Sequence, residues 1–148
     1  MSPHEAEREI VATPGQVTEG GSPQLSVVLP HTEVALTAIA LREAVRMARG
    51  LNARVIVLAI RVIPFPDDLD PTRPCPDLPA LMELAESMDG PISISVVYAR
   101  NWEAACEHAL LRGSLIVIAV RKGWFRTREE RMAAWLTRCG HHVTTVPA

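Results

Sequence analysis

The chain lacks most of the features from which an activity is usually read. It has no Walker loop, no GxSxG elbow, no HExxH pair and no paired CxxC, so the familiar hydrolytic and zinc chemistries find no motif, and neither an enzyme nor a cofactor is expected. Its three cysteines, Cys75, Cys106 and Cys139, are odd in number and irregular in spacing, which excludes a disulfide framework and points to thiols in a reducing compartment, two of them buried. No apolar run approaches the ~20 residues of a membrane span, and the opening MSPHEAEREIVATPG has neither the basic start nor the apolar centre of a signal peptide. A cytoplasmic protein with no membrane insertion is the expectation. A formal charge of −2 and a pI near 6.2 exclude a general nucleic-acid binder, which needs a broad basic face. Any basic function has to be local.

What is present is a 148-residue chain, 48% hydrophobic, the size of one domain with one core. Residues 1–23 mix Pro3, Pro14, Gly15, Gly20, Gly21 and Pro23 with charged and small polar residues and read as a flexible tail, with EAEREIV as a single helical turn or two. Residues 24–148 read as an α/β domain. Apolar runs predict strands at 24–30, 53–64, 91–99, 114–120 and 141–148. Between them, apolar residues at helical spacing predict four helices. The first covers 32–51. The second covers 78–88, capped by Asp77 and closed at Asp89-Gly90. The third follows an Asn101 cap, with Trp102, Ala105, Cys106, Ala109 and Leu110 as its apolar stripe. The fourth follows Thr127 and Glu130 in capping-box spacing, with Met132, Trp135, Leu136 and Cys139 inward. The proline-rich text 64–77 lacks the N–H donors of a helix or ladder and predicts a surface loop.

Strands alternating with helices imply a parallel sheet with helices on both faces, a Rossmann-like architecture. Strands one, two and four are continuous apolar runs suited to the centre, whereas ISISVVY and HHVTTV alternate polar with apolar residues and belong at the edges. The order 3-2-1-4-5 satisfies this and puts the topological switch between strands one and four, where open α/β sheets place ligands. The loops meeting there are LPHT (29–32) and VRKGWFR (120–126), the second opening the cluster RKGWFRTREER.

With this pattern the chain resembles the universal stress protein family from about Leu25 to Val146. A strand ends in LPHTE where the family often has VDGSE, and ALTAIALREAVRMARGLNARVIVLAIRVIP is close in spacing to the family's first helix and second strand. The resemblance implies this strand order, a role in stress response and a homodimer through strand five, which makes His142, Val143, Thr144 and Val146 the candidate dimer residues. Nucleotide-binding members carry an acidic residue at the end of strand one and G-x2-G-x9-G-[ST] after strand four. Here Pro30 or His31 takes the first position, and AVRKGWFRTREERMAAW keeps only Gly123. Backbone amides close on a phosphate only where side chains leave room, and tryptophan, phenylalanine and arginine do not.

The expected function is therefore a universal stress protein-like binding or interaction module that does not hydrolyse nucleotide and does not bind ATP. Two alternatives stand beside it: a nucleotide-binding stress protein in which arginines replace the glycine amides, and a structural or regulatory subunit with no small ligand. The candidate site for a small anion is His31, Thr32, Arg121, Lys122, Gly123 and Arg126, against the plainer reading of a solvated loop and first helical turn. An unidentified protein partner is the other expected occupant. Trp124 and Phe125 are expected to pack over the edge of helix four or into a dimer contact. Cys139, His141 and His142 place three ligand types in four residues, but a helix end followed by a strand scatters such side chains, so no metal site is expected. Asp67, Asp68 and Asp70 are read as solvating the proline-rich loop.

Overall fold

The computed structural model describes residues 8–12, 25–63 and 75–148. Six strands and four helices follow in the order β1 (Arg8–Ala12), β2 (Ser26–His31), α1 (Val34–Leu51), β3 (Arg54–Val62), α2 (Leu78–Glu86), β4 (Ile92–Ala99), α3 (Trp102–Ala109), β5 (Leu115–Val120), α4 (Arg128–Arg138) and β6 (His142–Pro147). Five strands are parallel in the order β4-β3-β2-β5-β6, which is the predicted 3-2-1-4-5.

The side chains of each central strand alternate between two cores, the period-two geometry of a pleated strand. Val27, Leu29, Val55, Val57, Ile94, Val96 and Val117 pack with Leu41, Val45 and Leu81 of α1 and α2. Val28, Leu58, Val97, Ile116 and Ile118 turn the other way, toward Ala105 and Cys106 of α3 and Met132 and Leu136 of α4. Leu29, Leu41, Ile94, Ile116 and Leu136 are fully buried, and each such side chain contributes about 1.5–3 kcal/mol of transfer free energy. With so few aromatics, this aliphatic interdigitation is the main source of stability.

The sixth strand departs from expectation. Arg8–Ala12, read as part of a flexible tail and as a helical turn, pairs antiparallel with β4, from Arg8 opposite Tyr98 to Ala12 opposite Ile94. Ile10 and Val11 are β-branched, and β4 offers a row of unpaired backbone groups that a strand satisfies and a lone helical turn does not. Residues 1–7 and 13–24 lie outside the described residues. As a result β4 is not the exposed edge inferred from its serines. Almost all of it is buried, Ser95 included.

Helix ends show where side chains found other partners. Asn101 accepts a hydrogen bond from the Ala104 N–H at 2.7 Å, and Thr127 from the Glu130 N–H at 3.2 Å, as their spacings predict. Asp77 stands at the N-cap position of α2 but does not cap it. The helix ends at Glu86 with Ser87 as C-cap, short of Asp89-Gly90. Asn52 closes α1 at φ 51°, a left-handed position that asparagine tolerates, and its N–H reaches the Ala48 and Arg49 carbonyls. Cys139 ends α4 exposed rather than inward, while Cys75 and Cys106 are the buried pair. Of the proline-rich stretch, 64–74 lie outside the described residues together with Asp67, Asp68 and Asp70. In its last part Cys75 is buried in the α1–α2 core, whereas Pro76 is exposed and Asp77 half-exposed. Among the described residues, no helix is long and apolar enough to cross a membrane.

Candidate functional site

The switch falls between β2 and β5, so the turn entering α1 faces the loop entering α4. Two arginines of the basic cluster fasten these segments together. Arg121 Nη2 lies 2.5 Å from Glu33 Oε1, and Arg128 Nη2 donates to the Thr32 carbonyl at 3.3 Å. Glu33 is the N-cap residue of α1 with extended backbone and no side-chain capping bond. Its carboxylate sits near the positive end of the helix dipole and is also the counter-ion of Arg121, so the anion expected at this loop is met by one from within the chain. At the start of α4, Glu129 and Glu130 offset the unfavourable placement of Arg128 at a helix N-terminus.

His31 ends β2 beside this turn, with its side chain only 7% exposed. A carboxylate can only accept, so Nε2 donates to Asp77 Oδ2 at 2.8 Å. In the neutral ring Nδ1 then accepts from the Thr37 hydroxyl at 2.6 Å. Thr37, on the first turn of α1, is 2% exposed. Asp77 thus turns its carboxylate to His31, and its backbone is helical rather than extended as in a side-chain N-cap. With its ring N–H given to Asp77, neutral His31 has no N–H left to donate to an anion.

A cavity of about 250 Å³ opens over the C-terminal ends of β2 and β3. His31, Cys75 and Asp77 line it from the α1–α2 side, Trp102, Met132 and Arg128 from the α3–α4 side, and Arg61 stands at the end of β3. Trp102 is held edge-on against Trp135, ring centroids 5.0 Å apart at 77°, which orients it at the cavity wall. A cavity of about 260 Å³ at the other end of the sheet, beside Arg49, Asn52 and Asp89, opens at the N-terminal ends of β3 and β4, away from the end where such sheets carry ligands.

Of the residues expected to form one anion site, the structure brings only His31 and Thr32 into the cavity. Arg121 is turned to Glu33, and Lys122, Gly123 and Arg126 are exposed and do not line the cavity. A Cβ at Gly123 would meet the Phe125 carbonyl at 3.7 Å, an ordinary contact, so no close approach within the chain demands glycine there. Trp124 and Phe125 do not pack over α4: they are 101% and 88% exposed. Glu33, Thr37, Asp77, Arg61 and Trp102 were not recognised as site residues. Glu33 could have been, as a carboxylate in the turn that faces Arg121, whereas Asp77 carries no local signal linking it to a histidine 46 positions away.

At the far edge, β6 lies last in the sheet. His142 is exposed and Val143, Thr144 and Val146 are half-buried, with Val143 against the α4 core and Val146 against the α1 core. His141, just before it, accepts a hydrogen bond at Nδ1 from the Ser114 N–H at 3.2 Å. Among the described residues, no three His, Cys, Asp or Glu side chains are grouped to hold a metal ion. No protein-family model matches the chain, and no curated protein matches it.

Proposed function

We propose that this protein is a universal stress protein-like binding or interaction module of the stress response that neither hydrolyses nucleotide nor binds ATP tightly. The observation that carries the reading is the pairing of Arg121 with Glu33. It sets a carboxylate where a phosphate would approach, in a loop whose one glycine is followed by tryptophan and phenylalanine. The engagement of His31 by Asp77 supports it further, since the ring N–H that would be offered to a phosphate is already donated within the chain. Titration calorimetry with ATP and AMP tests the proposal. The expected result is no ATP dissociation constant below about 100 μM, equivalent to about −5.5 kcal/mol. Micromolar affinity abolished by Arg121→Ala or Lys122→Ala would overturn it in favour of a nucleotide site built from arginines.

A second reading rests on the cavity. Its volume of about 250 Å³ is just under the ~300–1,000 Å³ typical of ligand pockets. Trp102 and Met132 offer an apolar wall and Arg61 and Arg128 cationic ones, a combination suited to a small ligand with an acidic group. A thermal-shift screen of small carboxylates and phosphates separates this reading from a module with no small ligand.

The active unit in this proposal is a homodimer joined through β6. The support is physical: β6 is the last strand, and an unpaired strand edge invites a second one. Light scattering should give twice the chain mass at micromolar concentration, and Val143→Lys should shift it toward monomer.

A further inference from the structure

Trp124 and Phe125 form an aromatic pair that the fold leaves almost wholly in water, 101% and 88% exposed, the two most exposed large hydrophobics among the described residues. The loop bearing them is anchored at both ends. Arg121 holds Glu33 at one, and at the other Arg128 holds the Thr32 carbonyl while Thr127 caps α4. All of residues 122–126 between these anchors are exposed. The aromatic tip is thus carried on a fastened base.

Charge around the tip has one sign. Lys122 precedes the aromatic pair and Arg126 follows it, and neither has an ion-pair partner among the described residues. The carboxylates at the two ends of the loop are engaged or buried: Glu33 faces Arg121, Glu129 is buried, and Glu130 lies against Thr127. An amphipathic aromatic pair flanked by cations is suited to the boundary between lipid headgroups and acyl chains, where Trp is favoured and basic side chains meet phosphate.

We propose that residues 122–126 are a docking tip for an anionic phospholipid surface, with Trp124 and Phe125 entering the headgroup boundary and Lys122 and Arg126 contacting lipid phosphates. The protein then rests on a bilayer surface, and among the described residues no helix is long and apolar enough to cross it. Single-stranded nucleic acid is the other polymer that aromatic and basic residues attract. It needs a groove that tracks the backbone, whereas a ring with 101% exposure projects from the surface and has no second wall.

The experiment is flotation of the full chain with vesicles of phosphatidylcholine alone and of phosphatidylcholine mixed with phosphatidylglycerol, with tryptophan emission recorded in parallel. The expected result is flotation and a blue shift only with the phosphatidylglycerol vesicles, both weakening as salt rises. Trp124→Ser with Phe125→Ser should abolish both without lowering the melting temperature, because neither ring packs on the domain. Lys122→Gln with Arg126→Gln should weaken partitioning about thirtyfold, the effect of two charges near an anionic surface. The proposal is overturned if the phosphatidylglycerol vesicles do not float the protein, or if the double serine variant floats as well as the parent. It is equally overturned if a single-stranded oligonucleotide quenches Trp124 while vesicles do nothing, which would assign the loop to base stacking.

Discussion

His31 at the end of β2 donates to Asp77 at the head of α2, Nε2 to Oδ2 at 2.8 Å, and the bond ties the close of the proline-rich connection to the centre of the sheet. Thr37 holds the ring from the other side. Removing Asp77 loses one charge-assisted bond at a half-exposed carboxylate, so Asp77→Ala is expected to cost about 1 kcal/mol. His31→Ala strands a buried threonine hydroxyl and leaves a void, and about 2–3 kcal/mol is expected. Urea denaturation of both variants and of the double variant checks this. Their losses should be clearly sub-additive, and additive losses would mean that the two side chains act independently.

Glu33 acts as an internal anion for Arg121. Both side chains are partly exposed, 42% and 56%, so the pair itself contributes little, and Arg121→Ala should lower stability by no more than about 0.5 kcal/mol. Glu33→Gln is the more informative change. It releases the guanidinium while keeping the side chain's size, and it should raise the melting temperature gained from added inorganic phosphate relative to the parent chain. An equal phosphate response in both proteins would show that Glu33 does not compete for the site.

Burial pushes the Cys106 thiol up to about 12, with the nearby Glu103 carboxylate adding to it, whereas Cys139 is exposed at the end of α4. Only the thiolate reacts. An aromatic disulfide reagent at neutral pH is expected to titrate one thiol per folded chain rapidly, with Cys139→Ser removing the fast phase and the rest appearing on unfolding. Rapid reaction of Cys106 in the folded protein would contradict the packing of α3.

The His141 pKa is lowered from its ordinary value, first by burial and then by the neighbouring His142, and its Nδ1 accepts the Ser114 N–H only while unprotonated. With the folded value below the unfolded one, the unfolded state takes up the proton first as pH falls through about 6.5. Stability should therefore fall with pH in that window and level off once the folded form also protonates. In thermal melts across pH, His141→Gln should flatten this part of the acid-side loss. An unchanged profile would assign the loss to other groups.

The architecture was legible because it follows from local spacing. Apolar runs and helical stripes depend on neighbours one to four positions away, and the continuity of VVL, VIVLAI and LIVIAV placed those strands at the centre of the sheet before any contact was known. The same locality explains the correct caps at Asn101 and Thr127. Only the tertiary structure could decide which side chains give up a local role for a distant partner. Asp77 has every local reason to cap α2 and instead holds His31. Arg121 belongs to a basic run that reads as a grip for phosphate and instead holds Glu33. Arg8–Ala12 is a strand because β4 has an open edge to fill, a demand that those residues do not themselves encode. Each of these outcomes depends on polar groups brought together by the closing of the sheet, and linear order carries no record of that distance.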